Sequence, residues 1–103
     1  MAFFVVTYVH PDGEGWNTFL DAHVSYLQQL LAEGTLRASG PFVGTPHRSA
    51  MLILSAPSRE DARSIIEQDP YKIEGLVSDM TITEWNPIFG TYQVEASQPP
   101  TSN

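Results

Sequence analysis

Four short apolar segments and two segments of helical periodicity follow one another along this chain, and their order limits the folds open to it. The short segments are rich in aromatic and β-branched residues, as strands are, and cover residues 3–9, 35–43, 50–56 and 76–85. With the helical segments included, the order is β, α, β, β, α, β with short connections. This order is typical of an antiparallel sheet that carries both helices on one face. The sequence therefore predicts an α+β fold.

The two helical segments have clear boundary signals. The first covers residues 15–33 and ends at Gly34, a residue that readily adopts the left-handed conformation found after a helix. The second begins after Ser58, which forms a capping box with Asp61. It ends just before Pro70, because proline lacks the N–H that a helix interior requires. The second and third strands are separated by a short loop, so we expect them to form a hairpin.

Two ionisable residues lie where the helix patterns require apolar side chains. The stripe of the first helix has the i, i+3, i+4, i+7 spacing and consists of Trp16, Phe19, Leu20, His23, Tyr26, Leu27, Leu30 and Leu31. The stripe of the second helix consists of Ala62, Ile65, Ile66 and Asp69. If both stripes pack on one sheet, an imidazole and a carboxylate reach a common interior, where each is costly unless it is paired or used. His23 and Asp69 are therefore the candidate catalytic residues.

Each of these two residues also has a purely structural interpretation. His23 fits a half-buried histidine whose ring bonds a backbone carbonyl or a water. Asp69 fits the N-cap of a new helical turn, since Asp-Pro-Tyr places Pro70 at the first helical position. Together the two residues indicate a proton-transfer site, because a carboxylate that bonds one imidazole nitrogen leaves the other nitrogen available as a general base or acid. The sequence leaves both interpretations open.

Further polar residues lie near the predicted strand ends. Ser39, Gly40 and Pro41 interrupt the second strand, which indicates a sheet edge, a bulge or a close approach of backbone to a ligand. Arg48 in the hairpin loop is the candidate cation for an anionic ligand. Tyr71 follows the proline that ends the second helix, and its hydroxyl is a candidate for reaching the same pocket. We treat these residues as candidate substrate-binding residues.

Other kinds of site have less support in the sequence. A Ser-His-Asp hydrolase lacks the G-x-S-x-G nucleophile elbow here. His10 and His47 are expected in loops. The three histidines of the chain show no HxxxH or HExxH spacing and have no cysteine partners. We therefore do not expect a metal site.

Composition and charge limit the partners. Hydrophobic residues make up 42% of the 103 residues, which suits one packed domain. A net charge of -7 with only five Lys and Arg argues against nucleic acid, which proteins bind by replacing counterions with cations. The absence of Cys excludes disulfides and thiolate sites. No apolar run approaches the roughly 20 residues of a membrane span, and no basic region precedes the N-terminal apolar run, so we expect a cytoplasmic protein without membrane contact.

The end of the chain and the second face of the sheet lead to two further expectations. Residues 88–94 are apolar enough for an extra short strand, whereas residues 95–103 are rich in Ser, Pro and Thr and predict a disordered tail. A single domain then covers residues 1–94. Helices on one face leave the opposite face exposed, with apolar side chains from the first and third strands on it. We expect a homodimer through this open face, in which the extra strand pairs either within its own chain or with the partner.

In order and spacing, several of these features resemble the YciI-like, or YCII-related, family of small dimeric proteins. They are His23-x-x-x-Leu27 on the first helix, Gly34 followed by Leu36, the Ser39-Gly40-Pro41 break, Asp69-Pro70-Tyr71, Gly75-Leu76, and the strand ending at Trp85. The resemblance extends over residues 3–85. It implies a ferredoxin-like βαββαβ fold with an antiparallel sheet, which dimerises into an α+β barrel.

The resemblance also implies a chemistry. The histidine and aspartate of the family form a catalytic dyad, and these roles fall on His23 and Asp69, with Ser39 as a pocket residue. Family members often have a basic residue about one turn before the histidine, where this chain has Leu20, and this implies a more apolar substrate. Activities associated with the family and its fold include dehydrochlorination of a chlorinated hydroxyquinol and muconolactone isomerisation. We therefore expect a cofactor-independent lyase or isomerase that transfers protons on a small, aromatic type of metabolite.

A second function class stays open at this level. In a non-catalytic ligand-binding or regulatory dimer, the pair would hold a small polar molecule or stabilise a buried corner. The two classes differ in the surroundings of His23. An unbonded ring nitrogen that faces a cavity with Ser39 and Tyr71 favours catalysis, whereas backbone partners on both nitrogens favour a structural role.

Overall fold

The computed structural model describes residues 1–13 and 15–92, and a four-stranded antiparallel sheet organises them. In chain order the elements are β1 (Ala2–Val9), α1 (Gly15–Thr18), α2 (Leu20–Ala32), β2 (Leu36–Pro41), β3 (Ser49–Ala56), α3 (Arg59–Glu67), α4 (Pro70–Ile73) and β4 (Ser78–Trp85). The strands lie in the order β2-β3-β1-β4. This is the α+β ferredoxin-like arrangement, and the prediction of the fold is confirmed.

The central strand β1 pairs with β3 on one side and with β4 on the other, and the register separates the two faces of the sheet. Phe4 lies opposite Leu54 of β3, and Val6 lies opposite Ile82 of β4. Tyr8 continues the same face, which packs against α2 and α3. The buried members of this core are Phe4, Val6, Tyr8, Leu30, Leu36, Leu52, Leu54, Ala56, Ala62, Ile66 and Ile82. The apolar alternation of the sequence is thus the alternation of the sheet faces.

The first predicted helix is interrupted at Phe19. There φ and ψ are -103° and 11°, outside helical values, so that a single turn, α1, precedes the longer α2. In that turn the backbone carbonyl of Trp16 accepts a hydrogen bond from the hydroxyl of Tyr71 at 2.7 Å. This bond ties α1 to α4. The apolar spacing of the sequence continues through Phe19 and therefore did not indicate the interruption.

The second helix ends where Pro70 requires it to end. Ser58 is its N-cap, and the Ser58 hydroxyl accepts a hydrogen bond from the backbone N–H of Asp61 at 3.1 Å, as the capping box predicts. Pro70 then begins the short helix α4, whose N-cap is Asp69. The Asp69 carboxylate accepts the backbone N–H of Tyr71 at 2.9 Å. The structural interpretation of Asp69 as a helix cap is therefore realised.

The segment that follows β4 differs from its prediction within the described residues. Residues 88–92 form no strand: residues 89–92 form bends and turns, and Gly90 takes a positive φ of 105° that a strand does not accommodate. Tyr92 folds back over the face of the sheet opposite the helices, with its ring 5.4 Å from that of Phe3. Its hydroxyl donates to the carbonyl of Arg37 at 3.3 Å. The remaining residues of that prediction, 93 and 94, and the predicted tail over 95–103 lie outside the described part of the chain.

The helices are short. Among the described residues, none has both the length and the apolar character that a bilayer crossing demands.

The helix cap at Ser58 offers a test of the fold's local energetics. Ser58→Ala removes the acceptor for the Asp61 N–H, and we expect it to lower the free energy of unfolding by about 1 kcal/mol. Urea denaturation followed by circular dichroism measures this difference. Ser64→Ala is the matched control, because Ser64 is exposed on the same helix, and it should change stability by less than about 0.5 kcal/mol. Equal losses in the two variants would contradict the capping role.

Candidate active site

A buried histidine and a buried aspartate form the centre of the site. His23 lies on α2 and Asp69 at the junction of α3 and α4, and only 8% and 1% of their surfaces are exposed. Nδ1 of His23 lies 2.8 Å from Oδ1 and 2.9 Å from Oδ2 of Asp69. Because a carboxylate only accepts hydrogen bonds, Nδ1 carries the hydrogen and donates it. In the neutral form of the ring, the lone pair then lies on Nε2.

Tyr71 holds the imidazole on a second side. Its ring stacks on the ring of His23, with centroids 3.9 Å apart and planes 9° from parallel. Its hydroxyl is used in the bond to the Trp16 carbonyl. Burial, and then the charge of Asp69, raise the pKa of Tyr71, while Arg48 opposes this shift, so the phenol remains a donor. The Asp69 carboxylate and the Tyr71 ring together hold the imidazole of His23 in one orientation.

His23 lines a cavity of about 240 Å³ beneath α2, whereas its partner Asp69 does not. No described residue hydrogen bonds Nε2 of His23. The walls include all five candidate substrate-binding residues, and the lining is Tyr8, His10, Trp16, Leu20, His23, Val24, Leu27, Ser39, Gly40, Pro41, Arg48, Ser49, Ala50, Met51, Leu52 and Tyr71. Most of these residues are apolar. The arrangement places an available imidazole nitrogen against a small, largely apolar space.

The break in the second strand lies at one rim of this cavity. Ser39, Gly40 and Pro41 pair regularly with β3, and the register shift falls earlier, between Leu36 and Ala38. β2 is an edge strand, which explains how proline is accommodated there. Of the three interpretations of residues 39–41, the structure confirms the sheet edge.

Arg48 lies at another rim, against an aromatic ring. Its guanidinium carbon is 3.6 Å from the ring centroid of Trp16, a cation–π contact. The backbone around Arg48 is held as well, because its carbonyl accepts the N–H of His10 at 2.8 Å. Arg48 therefore has a defined position from which it can meet an anionic or partly negative group. Its partner Trp16 was assigned to the helix stripe by the sequence and not to the site.

His10 is a titratable cavity residue that the sequence interpretation missed. It follows β1 and was expected to be a loop residue, yet only 7% of its surface is exposed. Its Nδ1 lies 2.6 Å from the carbonyl oxygen of Leu76. Burial is the main reason that the pKa of His10 is lowered, with further contributions from His23 and Arg48; the Leu76 bond and Asp69 act in the opposite direction. The available signal was strand periodicity, since Phe4, Val6, Tyr8 and His10 alternate along one face.

Tyr8 adds a hydroxyl to the same space. Burial first, then the charges of Asp69 and Tyr71, raise its pKa, so it is a protonated phenol at neutral pH. No described residue hydrogen bonds its hydroxyl. His47, by contrast, is an exposed loop residue, as predicted. Among the residues that the structure describes, no three His, Asp or Glu side chains come together in a group that could hold a metal ion.

Comparison with known proteins places the chain in a family. The family model for the YCII-related domain matches residues 1–86. The chain belongs to the YCII-related family. No curated protein sequence matches it.

Solved structures show the same fold as this YCII-related domain. The 5-chloro-2-hydroxyhydroquinone dehydrochlorinase of Burkholderia phenoliruptrix AC1100, in complex with 2,5-dihydroxybenzoquinone, has 24% identity and a TM-score of 0.71, over 81% of this chain and 92% of that one. A muconolactone isomerase has 20% identity and a TM-score of 0.61, over 84% and 88%. A dimeric ferredoxin-like protein from Jannaschia sp. CCS1 has 12% identity and a TM-score of 0.52, over 82% and 98%. At these identities the likeness establishes the fold.

The position of His10 in this YCII-related domain predicts a pH dependence of stability. Since the pKa of His10 is lowered in the folded state, the neutral ring contributes stability above its ordinary value of 6.5, and this contribution is lost as the pH falls below 6.5. We expect His10→Asn, which retains an N–H for the Leu76 carbonyl, to lose less stability than wild type between about pH 7.5 and about pH 5.

Urea denaturation at each pH measures this difference. Protonation of the carboxylates is common to both proteins and cancels in the comparison. His47→Asn, at an exposed histidine, is the control and should follow wild type. A wild-type slope in the His10 variant would show that His10 does not remain neutral in the folded protein.

Proposed function

We propose that this protein is a cofactor-independent acid–base enzyme, a lyase or isomerase that acts on a small aromatic type of metabolite. The observation that carries the proposal is the unbonded Nε2 of His23, which faces a cavity while Asp69 holds Nδ1. His23 acts as the general base and then as the general acid. Asp69 orients the imidazole and stabilises the imidazolium that forms when His23 accepts a proton.

The chemistry needs only this pair and the substrate. Nε2 of His23 removes a proton from a carbon or hydroxyl of the bound molecule. In an isomerisation, the imidazolium returns the proton to a different atom of the same molecule. In an elimination, the electrons released by deprotonation expel a leaving group such as chloride, so that the molecule loses the elements of an acid HX. Bulk water then removes the proton from His23.

The cavity supports a substrate of one ring. A dry apolar cavity of about 150 Å³ accommodates benzene, so a volume of about 240 Å³ suits a ring with a few small substituents. Leu20 and Val24 give the α2 wall an apolar surface. Arg48 supplies a positive charge at the rim, where an enolate or phenolate oxygen would be stabilised. The dehydrochlorinase that shares the fold is in complex with 2,5-dihydroxybenzoquinone, a molecule of one ring.

A non-catalytic binding role is the alternative, and one observation favours it. Asp69 bonds the Tyr71 N–H as well as His23, so its burial is explained without any reaction. The two roles separate when binding and turnover are measured on the same protein. Binding of ring compounds without product formation and without exchange of protons would support the alternative.

Substitution of the dyad is the direct test of catalysis. We expect wild-type protein to release chloride from halogenated hydroquinones, or to isomerise lactones, or to incorporate deuterium at a substrate carbon in deuterated water. His23→Gln removes the base and should lower kcat/KM by about 10²- to 10⁴-fold. Asp69→Asn should lower it by about 10²-fold or more, because the amide lets the ring adopt the wrong tautomer. Absorbance, chloride detection and NMR follow these reactions.

The controls separate chemistry from folding. His47→Asn changes an exposed histidine outside the cavity and should retain wild-type activity. Thermal denaturation of each variant establishes that it is folded. A folded His23→Gln protein with wild-type turnover would refute the assignment of His23.

We also propose that the protein is a homodimer through the sheet face opposite the helices. That face carries Val5, Thr7 and Val9 of β1, which are only partly covered, and the exposed side chains of Thr83 and Trp85 of β4. Among the described residues, Tyr92 contacts this face at one end, where its ring lies 5.4 Å from that of Phe3 and 6.5 Å from that of Trp85. A second copy of the chain would bury this face. The Jannaschia protein that shares the fold is described as dimeric.

Sedimentation velocity tests the dimer. At micromolar concentration we expect wild type to sediment at twice the mass of one chain. Thr83→Arg places a charge on the open face beside Val5 of β1 and should shift the population to monomer, since an unpaired charge in an interface is strongly unfavourable. Ser64→Arg, on the exposed surface of α3, is the matched control and should remain dimeric. A monomeric wild type would defeat the proposal.

A further inference from the structure

His10 is a buried titratable residue of the cavity that the proposed reaction does not use. Its ring makes edge contacts with two phenols of the site, at 5.2 Å from Tyr8 and 5.0 Å from Tyr71 between centroids. Tyr71 also stacks on His23, so one phenol ring contacts both imidazoles. The two histidines therefore belong to a single packed cluster, and their positions in it are mutually fixed.

The bond to Leu76 determines which nitrogen of His10 is available. A backbone carbonyl only accepts hydrogen bonds, so Nδ1 of His10 must carry the hydrogen that is shared with Leu76 at 2.6 Å. In a neutral ring Nε2 is then an acceptor with no hydrogen of its own. No described residue donates to Nε2 of His10, and the ring lines the same cavity as His23. Nε2 of His10 can therefore accept a hydrogen bond from a molecule in the cavity but cannot donate one.

The surroundings of His10 keep this acceptor neutral. Burial is the main cause that lowers the pKa of the ring, and His23 and Arg48 lower it further, although the Leu76 hydrogen bond and Asp69 act in the opposite direction. A protonated His10 would lose the acceptor, because both nitrogens would then donate. Tyr8 differs from His10, because its protonated hydroxyl can both donate a hydrogen bond to a molecule in the cavity and accept one. The polar groups of the cavity therefore include the two histidines, the cation of Arg48 and the hydroxyls of tyrosine and serine residues.

We propose that Nε2 of His10 accepts a hydrogen bond from a hydroxyl of the substrate and so selects rings that carry a protonated hydroxyl in addition to the group that reacts at His23. The inference rests on the proposed function for the identity of the reacting group, and it deepens that function by naming the substrate class as dihydroxylated rings. His10 is a specificity residue that touches the substrate. His23 carries the proton transfer.

The test compares diphenols with their methyl ethers as ligands. The probes are catechol, resorcinol and hydroquinone and the monomethyl ether of each, and isothermal titration calorimetry measures the dissociation constants. For wild type we expect at least one diphenol to bind about five- to tenfold more tightly than its ether, because the ether cannot donate one hydrogen bond and leaves the acceptor unpaired. In His10→Asn, which has no atom at the Nε2 position, this preference should fall to about twofold or less.

A second measurement does not depend on a substitution. In wild-type protein labelled with ¹⁵N, the histidine ring resonances report which nitrogen carries hydrogen. We expect His10 to be protonated on Nδ1, and its Nε2 resonance to move when the preferred diphenol is added but not when its dimethyl ether is added. His47→Asn is the control for both experiments and should behave as wild type.

The outcomes distinguish this inference from the proposed function. A hydroxyl preference that disappears in His10→Asn supports the acceptor role even if no turnover is found. The inference is overturned if wild type binds none of the diphenols, if His10→Asn keeps the wild-type preference, or if the hydrogen lies on Nε2 of His10. Loss of turnover in His23→Gln with an unchanged hydroxyl preference would support both assignments separately.

Discussion

The structure of the site depends on one buried carboxylate. Asp69 is 1% exposed, and a charge in that position is tolerated only when donors surround it. Nδ1 of His23 and the backbone N–H of Tyr71 supply those donors, each within 2.9 Å of a carboxylate oxygen. The same group therefore starts α4, joins it to α2 and orients the imidazole. Removing it would disturb a helix terminus and a candidate catalytic residue together.

The charge of Asp69 also acts on the phenols around it. It contributes to raised pKa values at Tyr8, Tyr26 and Tyr71, although burial is the larger cause at each. These hydroxyls therefore stay protonated and act as donors. Two of them bond backbone carbonyls: Tyr26 bonds Ile65, and Tyr71 bonds Trp16. These two bonds tie α2 to α3 and α4 to α1 around Asp69.

The structural and functional interpretations of the two central residues turn out to be compatible. Asp69 is the cap that Asp-Pro-Tyr predicts, and it is also the partner of His23. A carboxylate has two oxygens and several lone pairs, so one side chain can satisfy a helix terminus and an imidazole at once. A structural role for Asp69 explains its burial, but it does not by itself exclude a role in catalysis. Whether the site is catalytic therefore depends on Nε2 of His23, to which no described residue hydrogen bonds.

Much of the fold followed from periodicity. Alternation along β1, the capping box at Ser58 and the break at Pro70 are local signals, and they predicted the element order and the boundaries to within a few residues. The pairing of β2 with β3 followed from the short loop between them. Local signals did not reveal the interruption at Phe19 or the bends and turns over residues 89–92. Both segments make contacts with residues distant in the chain, Trp16 with Tyr71 and Tyr92 with Phe3.

The sequence by itself determined that an imidazole and a carboxylate occupy apolar helix faces, since spacing along a helix decides which side chains share a face. Their approach to hydrogen-bonding distance was decided by tertiary structure, because α2 and the α3–α4 junction are 46 positions apart and only their packing on one sheet sets the distance. The inclusion of His10 in the cavity was decided in the same way. A residue after a strand becomes part of a site only when another loop, here that of Leu76, closes over it and fixes which of its nitrogens is available.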